Sequence, residues 1–397
     1  MADVPTVVLK PRRAKPFFGK HPWVFEQAIG KCPKNLEPGA SVRLVAEDER
    51  FIAYGLFNPN SKIRIRLYSW DEDQPVNGEL VLQRLAQAID FRHQTLGLDD
   101  PRGGCRLVFS ESDGLSGLVV DRYADVLVVQ FNSLAMHHRF EAAIVEGLAQ
   151  LLSPRAIYRR TERGIREVEG LEVDDGPLLG EVPSEPLWMR EDDLEWSVSI
   201  PTGQKTGAYL DQRDNRRAVA CYAKGRDVLD VFCHGGGFAI RAAKAGARTA
   251  IGIDSSPGAI ELANANAQRN GVDVAFVKED AVTAMKRLQK EDHRFGVIVL
   301  DPPKFARSSG ALPSALRGYE QINRLALELL EPDGLLVSCS CSGLVTRDLF
   351  QGMLAKVARE SGHELAILEE RGQAPDHPIS VFCLETSYLK CVLARRT

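Results

Sequence analysis

Val228-Leu229-Asp230-Val231-Phe232-Cys233-His234-Gly235-Gly236-Gly237 decides the reading of this chain. An apolar run holding one carboxylate and closed by three glycines describes a buried strand that ends in a tight loop. The next run, Phe238 to Ala245, has helical spacing. Glycines at a helix start let backbone amides approach a ligand closely. Three more strings follow in order: Ile253-Asp254, Leu300-Asp301-Pro302-Pro303-Lys304-Phe305, and Ser340-Cys341-Ser342-Gly343. Each lies at the end of an apolar run.

Around these strings, strands and helices take turns. Val228 to Phe232 precedes the helical run just named; Thr249 to Ile253 precedes Ile260 to Asn270, with Gly271 as its stop; Gly296 to Leu300 precedes Tyr319 to Leu330; and Leu335 to Cys339 precedes Leu349 to Glu360. Strict alternation predicts an α/β domain, a parallel sheet with helices on both faces. Ligands of such sheets sit at the carboxyl ends of the strands, where all four strings fall.

Asp254 stands nineteen residues after Gly235, where a carboxylate accepts ribose hydroxyls. Nucleotide and adenosyl cofactors both fit this much. A dinucleotide fingerprint begun at Gly235 and Gly237 needs Gly or Ala at 240, occupied by Ile240; a start at Gly236 meets Phe238 and Arg241. Asp230, just before the loop, suits a sulfonium and an amino group better than a pyrophosphate. These residues favour S-adenosylmethionine over a dinucleotide. Asp280, after Val274 to Val277, is placed to accept from an adenine amino group.

Asp301 emerges from the apolar strand Val297-Ile298-Val299-Leu300, and two prolines hold the following backbone extended. Such a loop can hold a planar base beside the cofactor. Cys341 follows the last strand, so its thiol can face the same place. Carbon 5 of cytosine is a poor nucleophile, and thiolate addition at C6 activates it, so a cysteine here permits carbon methylation. Cys339 would share a face with Cys341 in a continuous strand; different roles require the strand to end between them. Cys339 is expected in the core.

The rest of the 397 residues bounds the answer. Composition is that of a soluble globular chain, 44% hydrophobic and 26% charged, with length for two or three domains. The start of the sequence shows no apolar h-region and no run long enough to span a bilayer, which predicts a cytoplasmic protein. Eight scattered cysteines without a Cys-x-x-Cys pair predict neither a disulfide framework nor zinc. Residues 1–70 hold twelve Lys/Arg, among them Arg12, Arg13 and Lys15, against six acids, on a chain of net charge −4. A local basic region can recruit a polyanion. Short β-rich runs there, including Ile63 to Tyr68 with Arg64 and Arg66 on one face, predict a small β-barrel. Boundaries are expected near 72 and 190, with a central α+β domain at 73–190 and the α/β domain at 191–397.

With these residues in hand, the chain resembles the ribosomal large-subunit methyltransferase I family over nearly its whole length. The resemblance is carried by Pro22-Trp23-Val24-Phe25, by Arg106 to Leu115, by Val119-Val120-Asp121-Arg122-Tyr123, by Gly203-Gln204-Lys205-Thr206-Gly207 with Tyr209 to Arg213, by the four strings, and by Gln373-Ala374 with Asp376-His377-Pro378. It implies a PUA RNA-binding domain, a central β-β-α-β-β domain and a Rossmann-like domain that uses S-adenosylmethionine to make 5-methylcytosine in 23S rRNA. It also implies a homodimer. By position, Asp230, Phe232, Cys233, His234, Gly235, Gly236, Asp254, Ser255, Asp280, Ala281 and Asp301 would hold the cofactor, and Asp301 would also orient the base. Cys341 would be the nucleophile. Gln204, Lys205, Thr206, Pro302, Pro303, Lys304, Phe305, Arg12, Arg13 and Lys15 would contact the RNA. The chain departs from the family at Cys233-His234, where relatives more often carry Tyr-Thr. Three rivals remain: a guanine ring-nitrogen methyltransferase, a non-catalytic RNA-binding factor and a dehydrogenase.

Overall fold

The computed structural model describes residues 4–201, 206–306 and 308–397. It falls into two compact units. Unit 1 comprises the chain up to Arg190 with Val198–Leu210 and Pro375–Thr386; unit 2 comprises Glu191–Ser197, Asp211–Ala374 and Ser387–Thr397.

Unit 1 holds two sheets. The first contains Thr6–Leu9 (β1), Trp23–Phe25 (β2), Ile29–Lys31 (β3), Ser41–Val45 (β4), Phe51–Phe57 (β5) and Ile63–Ser69 (β6), in the order β2-β6-β5-β4-β1-β3. Only the turn Glu26–Ala28 separates the two edge strands in sequence, so the sheet must curl on itself, as a small barrel does. Val7, Leu9, Val24, Val42, Leu44, Ile65 and Leu67 fill its inside. A short helix, Lys15–Phe18 (α1), follows β1. Arg66 is buried, its guanidinium 3.1 Å from both Glu111 and Glu169, while Arg64 pairs with Glu26.

The second sheet follows Gly78–Asp90 (α2), capped by Asn77 and continued by a π-helical turn at Phe91–Thr95. Its strands are Gly104–Phe109 (β7), Leu118–Tyr123 (β8), Val126–Phe131 (β9), Ala156–Arg160 (β10) and Gly176–Gly180 (β11), ordered β11-β10-β9-β8-β7, with Leu134–Leu152 (α3) and Arg163–Glu169 (α4) between them in sequence. Arg92 in the π turn is fully buried. It forms a bidentate pair with Asp113 and donates to the carbonyl oxygens of Arg106 and Asp376. The Asp376 carboxylate accepts from the Arg106 amide, so the late segment 375–386 is stitched to β7. His21, Cys383 and Glu385 bring ligand-type atoms within 4.8 Å of one another. His21 Nδ1 accepts from the Trp23 amide at 3.3 Å, and its Nε2 lies 3.6 Å from the Glu385 carboxylate.

A two-stranded sheet, Leu187–Glu191 (β12) and Leu194–Val198 (β13), comes next. Unit 2 then alternates as the sequence predicts: Arg213–Ala220 (α5), Asp227–Val231 (β14), Gly237–Lys244 (α6), Thr249–Asp254 (β15), Pro257–Asn270 (α7), Ala275–Lys278 (β16), Ala281–Lys290 (α8), Phe295–Leu300 (β17), Leu312–Leu329 (α9), Leu330–Ser340 (β18), Arg347–Glu360 (α10), Leu365–Arg371 (β19) and Lys390–Arg396 (β20). Sheet order is β16-β15-β14-β17-β18-β20-β19. β14 to β18 pair in parallel, but β20 runs antiparallel to both its neighbours, which corrects the expectation of a wholly parallel sheet. No helix of parallel-crossover length joins β19 to β20, so β20 enters reversed.

Side-chain alternation divides the core between the two faces of this sheet. Leu229, Val231, Ile298, Leu300 and Leu336 pack with residues of α8, α9 and α10; Val228, Val297, Val299, Val337 and Cys339 pack with residues of α5 and α6. Each such side chain contributes roughly 1.5–3 kcal/mol by leaving water. Helix starts are set by side-chain caps at Ser256, Asp280 and Thr346, and α7 stops at Gly271 with φ of +61°. All eight cysteines are thiols, none of them in a disulfide. Among the described residues no helix is long and apolar enough to cross a membrane.

Candidate active site

β14 ends at Val231, and the loop to α6 is backbone-strained: Phe232, His234 and Gly236 have φ of +66°, +47° and +78°. Two non-glycine residues in that region imply a loop held by its surroundings. The Cys233 amide donates to the Ile253 carbonyl at 3.0 Å, the His234 amide to Asp254 Oδ2 at 3.0 Å, and Asn266 Nδ2 to the Gly235 carbonyl at 2.9 Å. At Gly236 an added Cβ would lie 2.6 Å from the Phe276 ring, so both conformation and space demand glycine. Cys233 is buried, with its thiol pushed up by burial and then by Asp230 and Asp254.

Asp230 lies under this loop, fully buried. Its Oδ2 accepts from the Ala239 amide in the first turn of α6 at 3.0 Å, and Oδ1 has no partner among the described residues. Burial pushes its carboxyl up to about 7, with nearby Asp301 and Asp254 adding to the shift against the Ala239 bond. An orphaned, buried acceptor at a strand end suits the amino group of S-adenosylmethionine, a cation that would restore its charge. Asp254, ending β15, has both oxygens on backbone amides, those of His234 and Ser256, so ribose hydroxyls would use its remaining lone pairs. Exposed Asp280 caps α8 through Oδ1, so an adenine amino group would have Oδ2 to donate to; Ser255 is exposed beside Asp254, and Ala281 is buried in the first turn of α8.

Asp301 follows β17, which is β14's neighbour, and its amide donates to the Val231 carbonyl at 3.3 Å. Pro302 is buried, Pro303 and Lys304 are exposed, and Phe305 is half-buried with its ring 4.8 Å from that of Tyr319. This loop is tied to the cysteine turn. The Ala306 amide donates to Ser342 Oγ at 3.3 Å, and the Tyr319 hydroxyl reaches Ser340 Oγ at 2.9 Å and Ser342 Oγ at 3.4 Å. β18 ends at Ser340, between the two cysteines: Cys339 is fully buried opposite Cys391, and Cys341 is partly exposed. The structure thus brings Asp230, Asp254, Asp301 and Cys341 to adjacent strand ends within unit 2.

Other expected residues fall elsewhere. Arg12, Arg13 and Lys15 are exposed on unit 1, where Arg12 has φ of +62°. Gln204 and Lys205 lie outside the described residues. Thr206 is 1% exposed, and its hydroxyl is committed to Asp121 and Tyr123 inside unit 1, so it is a buried anchor and not a surface for RNA. Sequence reasoning missed Lys390, 4% exposed, whose Nζ donates to the Ser342 carbonyl at 2.6 Å. A lysine placed directly before the apolar run Cys391 to Ala394 was the signal that could have found it.

Known proteins share this chain's sequence and fold. A family profile for a PUA-like domain matches residues 7–70, and one for an S-adenosylmethionine-dependent methyltransferase matches residues 174–390. The chain is 40% identical over 395 residues to ribosomal RNA large subunit methyltransferase I of Tolumonas auensis, covering 98% of this chain and 99% of that one. It is 39% identical to the Aeromonas hydrophila protein of the same name, at the same coverage. Among solved structures, a methyltransferase complexed with SAH shares the fold, with TM-score 0.84 at 19% identity, over 98% of this chain and 100% of that one. The cofactor is therefore S-adenosylmethionine, and the glycine loop with the unpartnered Asp230 Oδ1 are residues that would fit it. With relatives of one name matching it almost end to end, the chain belongs to the ribosomal RNA large subunit methyltransferase I family.

Proposed function

We propose that the protein makes 5-methylcytosine in 23S ribosomal RNA through a covalent adduct between Cys341 and C6 of the base. The observation that carries this reading is the bonding of the Ser340–Ser342 turn to the Asp301–Ala306 loop, which keeps thiol and carboxylate beside the Asp230 loop. Exposed Arg12, Arg13 and Lys15 on the PUA-like barrel hold phosphates and set the register, without reading sequence. The target cytosine leaves its stack and lies along Pro302 to Phe305.

The Cys341 thiolate adds to C6, forming a carbon–sulfur bond, while the C5–C6 π electrons shift through C4 onto N3. N3 takes a proton from water as charge builds there, and the Asp301 carboxylate accepts a hydrogen bond from the N3–H so formed. Bound S-adenosylmethionine would supply an electrophilic methyl group, which C5 accepts as the methyl–sulfur bond breaks and S-adenosylhomocysteine is left. Water takes the C5 proton, whose bonding electrons restore the C5–C6 double bond and expel the thiolate from C6, and N3 gives its proton back to water. Asp230 and Asp254 hold the cofactor's amino and ribose ends meanwhile. The substrate is the free RNA or a large-subunit precursor in the cytoplasm, and the enzyme works as a homodimer, which light scattering tests.

Incubation with tritiated-methyl S-adenosylmethionine and rRNA from a strain lacking the corresponding enzyme tests the chemistry. Label is expected in 5-methylcytosine, and Cys341→Ala should bind cofactor yet transfer nothing. Label in a guanosine, or full activity of the alanine variant, removes Cys341 as nucleophile.

A further inference from the structure

Lys390 opens β20 directly opposite Ser340, the last residue of β18. Its side chain turns under the residues that follow: Nζ donates to the Ser342 carbonyl at 2.6 Å and to the Tyr388 carbonyl at 2.8 Å. The ammonium is thereby clamped beneath a three-residue turn whose central member is Cys341, with only 4% of the residue exposed.

Such a placement is expensive. Removing an ammonium from water costs several kcal/mol, and two neutral carbonyls do not cancel its charge. Lys390 forms no ion pair with a carboxylate among the described residues. The charged groups that face it from packed elements make matters worse, since Arg347 on α10 and Lys304 on the loop after β17 are both cations; Cys341 is the one group that favours its charge. Burial, chiefly, brings its pKa down to about 8, which leaves it mostly protonated at neutral pH.

We infer that the Lys390 ammonium holds the Cys341 thiol in its thiolate form, so that Lys390 is a positioning residue acting through the nucleophile. The argument is reciprocal: a thiolate that stabilises the buried ammonium is stabilised by it equally. Asp301 and Tyr319 border the same turn, but neither supplies a fixed positive charge, and the exposed Lys304 is screened by water. The cation that burial keeps strong is Lys390. This inference rests on the reading of Cys341 as nucleophile.

The test is the pH profile of iodoacetamide alkylation at Cys341, followed on its own peptide by mass spectrometry. In the full-length protein the thiol should react as thiolate well below the ordinary cysteine range. Lys390→Gln keeps donors for both carbonyls but removes the charge; its profile should move up by about one pH unit, which is about tenfold slower reaction at pH 7. Lys390→Arg should restore the wild-type profile, whereas a merely structural lysine would leave both variants equally altered. A folded Lys390→Gln protein, checked by circular dichroism and cofactor binding, that alkylates with the wild-type profile overturns the inference. Should that variant not fold, thiolate absorbance of wild type minus Cys341→Ser decides: a midpoint below the ordinary thiol value supports the pair, and one at or above it ends it. Methyl transfer by Cys341→Ala separately reports on the nucleophile, so an inactive alanine variant with an unmoved Lys390→Gln profile rejects the lysine's role alone.

Discussion

At the scale of single residues, Asp230 is where pH enters. Its carboxyl is pushed up to about 7 by burial, from an ordinary value of 3.8. A raised folded-state pKa means that the native protein holds the proton more tightly than the unfolded chain. That stabilisation is complete below about pH 4 and is lost as pH rises to about 7. Asp230→Asn cannot ionise, so it should gain on wild type by up to ~4 kcal/mol between about pH 4 and pH 8 in urea unfolding of the cofactor-free protein. The same variant should bind S-adenosylmethionine at least about tenfold more weakly at pH 8, measured by equilibrium dialysis, because an amide cannot neutralise the amino group. A stability difference that stays constant with pH would count against this account. The positions of Asp230, Asp254, Asp301 and Cys341 were legible because apolar runs announce strands, and strand ends announce sites. Their commitments were not. Both oxygens of Asp254 go to amides, Thr206 turns inward, and the Lys390 bond to Ser342 spans 48 residues, beyond any local pattern.

At the scale of elements, backbone conformation and buried charge each set an expectation. Gly236→Ala combines a φ of +78° with a Cβ placed 2.6 Å from the Phe276 ring. The substitution should cost roughly 1–3 kcal/mol or more in denaturant unfolding and weaken cofactor binding in parallel. In unit 1, Arg92→Ala leaves Asp113 buried without its bidentate partner and frees the Asp376 carbonyl. A loss of about 3–5 kcal/mol is expected, with faster hydrogen exchange in residues 375–386, which the arginine ties down. Element order was legible through the switch between apolar periods of two and of nearly four. Strand direction was not, because an apolar run such as Cys391 to Ala394 reads the same either way. The connection decides it, and that between β19 and β20 includes residues that belong to unit 1.

At the scale of the whole molecule, the surplus of basic residues in the first 70 narrows once their partners are known. Arg43, Arg50, Arg64 and Arg66 are spent on Glu72, Asp48, Glu26 and the buried Glu111–Glu169 pair. Arg12, Arg13 and Lys15 remain exposed without carboxylate partners among the described residues. Replacing all three by alanine should weaken rRNA binding with little regard to sequence. The slope of log affinity against log salt should fall by about 2–3, at about 0.7–0.9 for each phosphate that is no longer neutralised. An unchanged slope in a filter-binding titration would move the docking surface elsewhere. During synthesis, β20 is made after β19 yet lies between β19 and β18. A ribosome emitting this chain therefore produces the cysteine strand with an open edge, and β19 with no strand to join. β18 has β17 on one edge, but its other edge and all of β19 wait for the seven residues from Lys390 to Arg396. The strand that carries the cysteine turn is thus completed on its second edge by one of the last strands of unit 2 to be made.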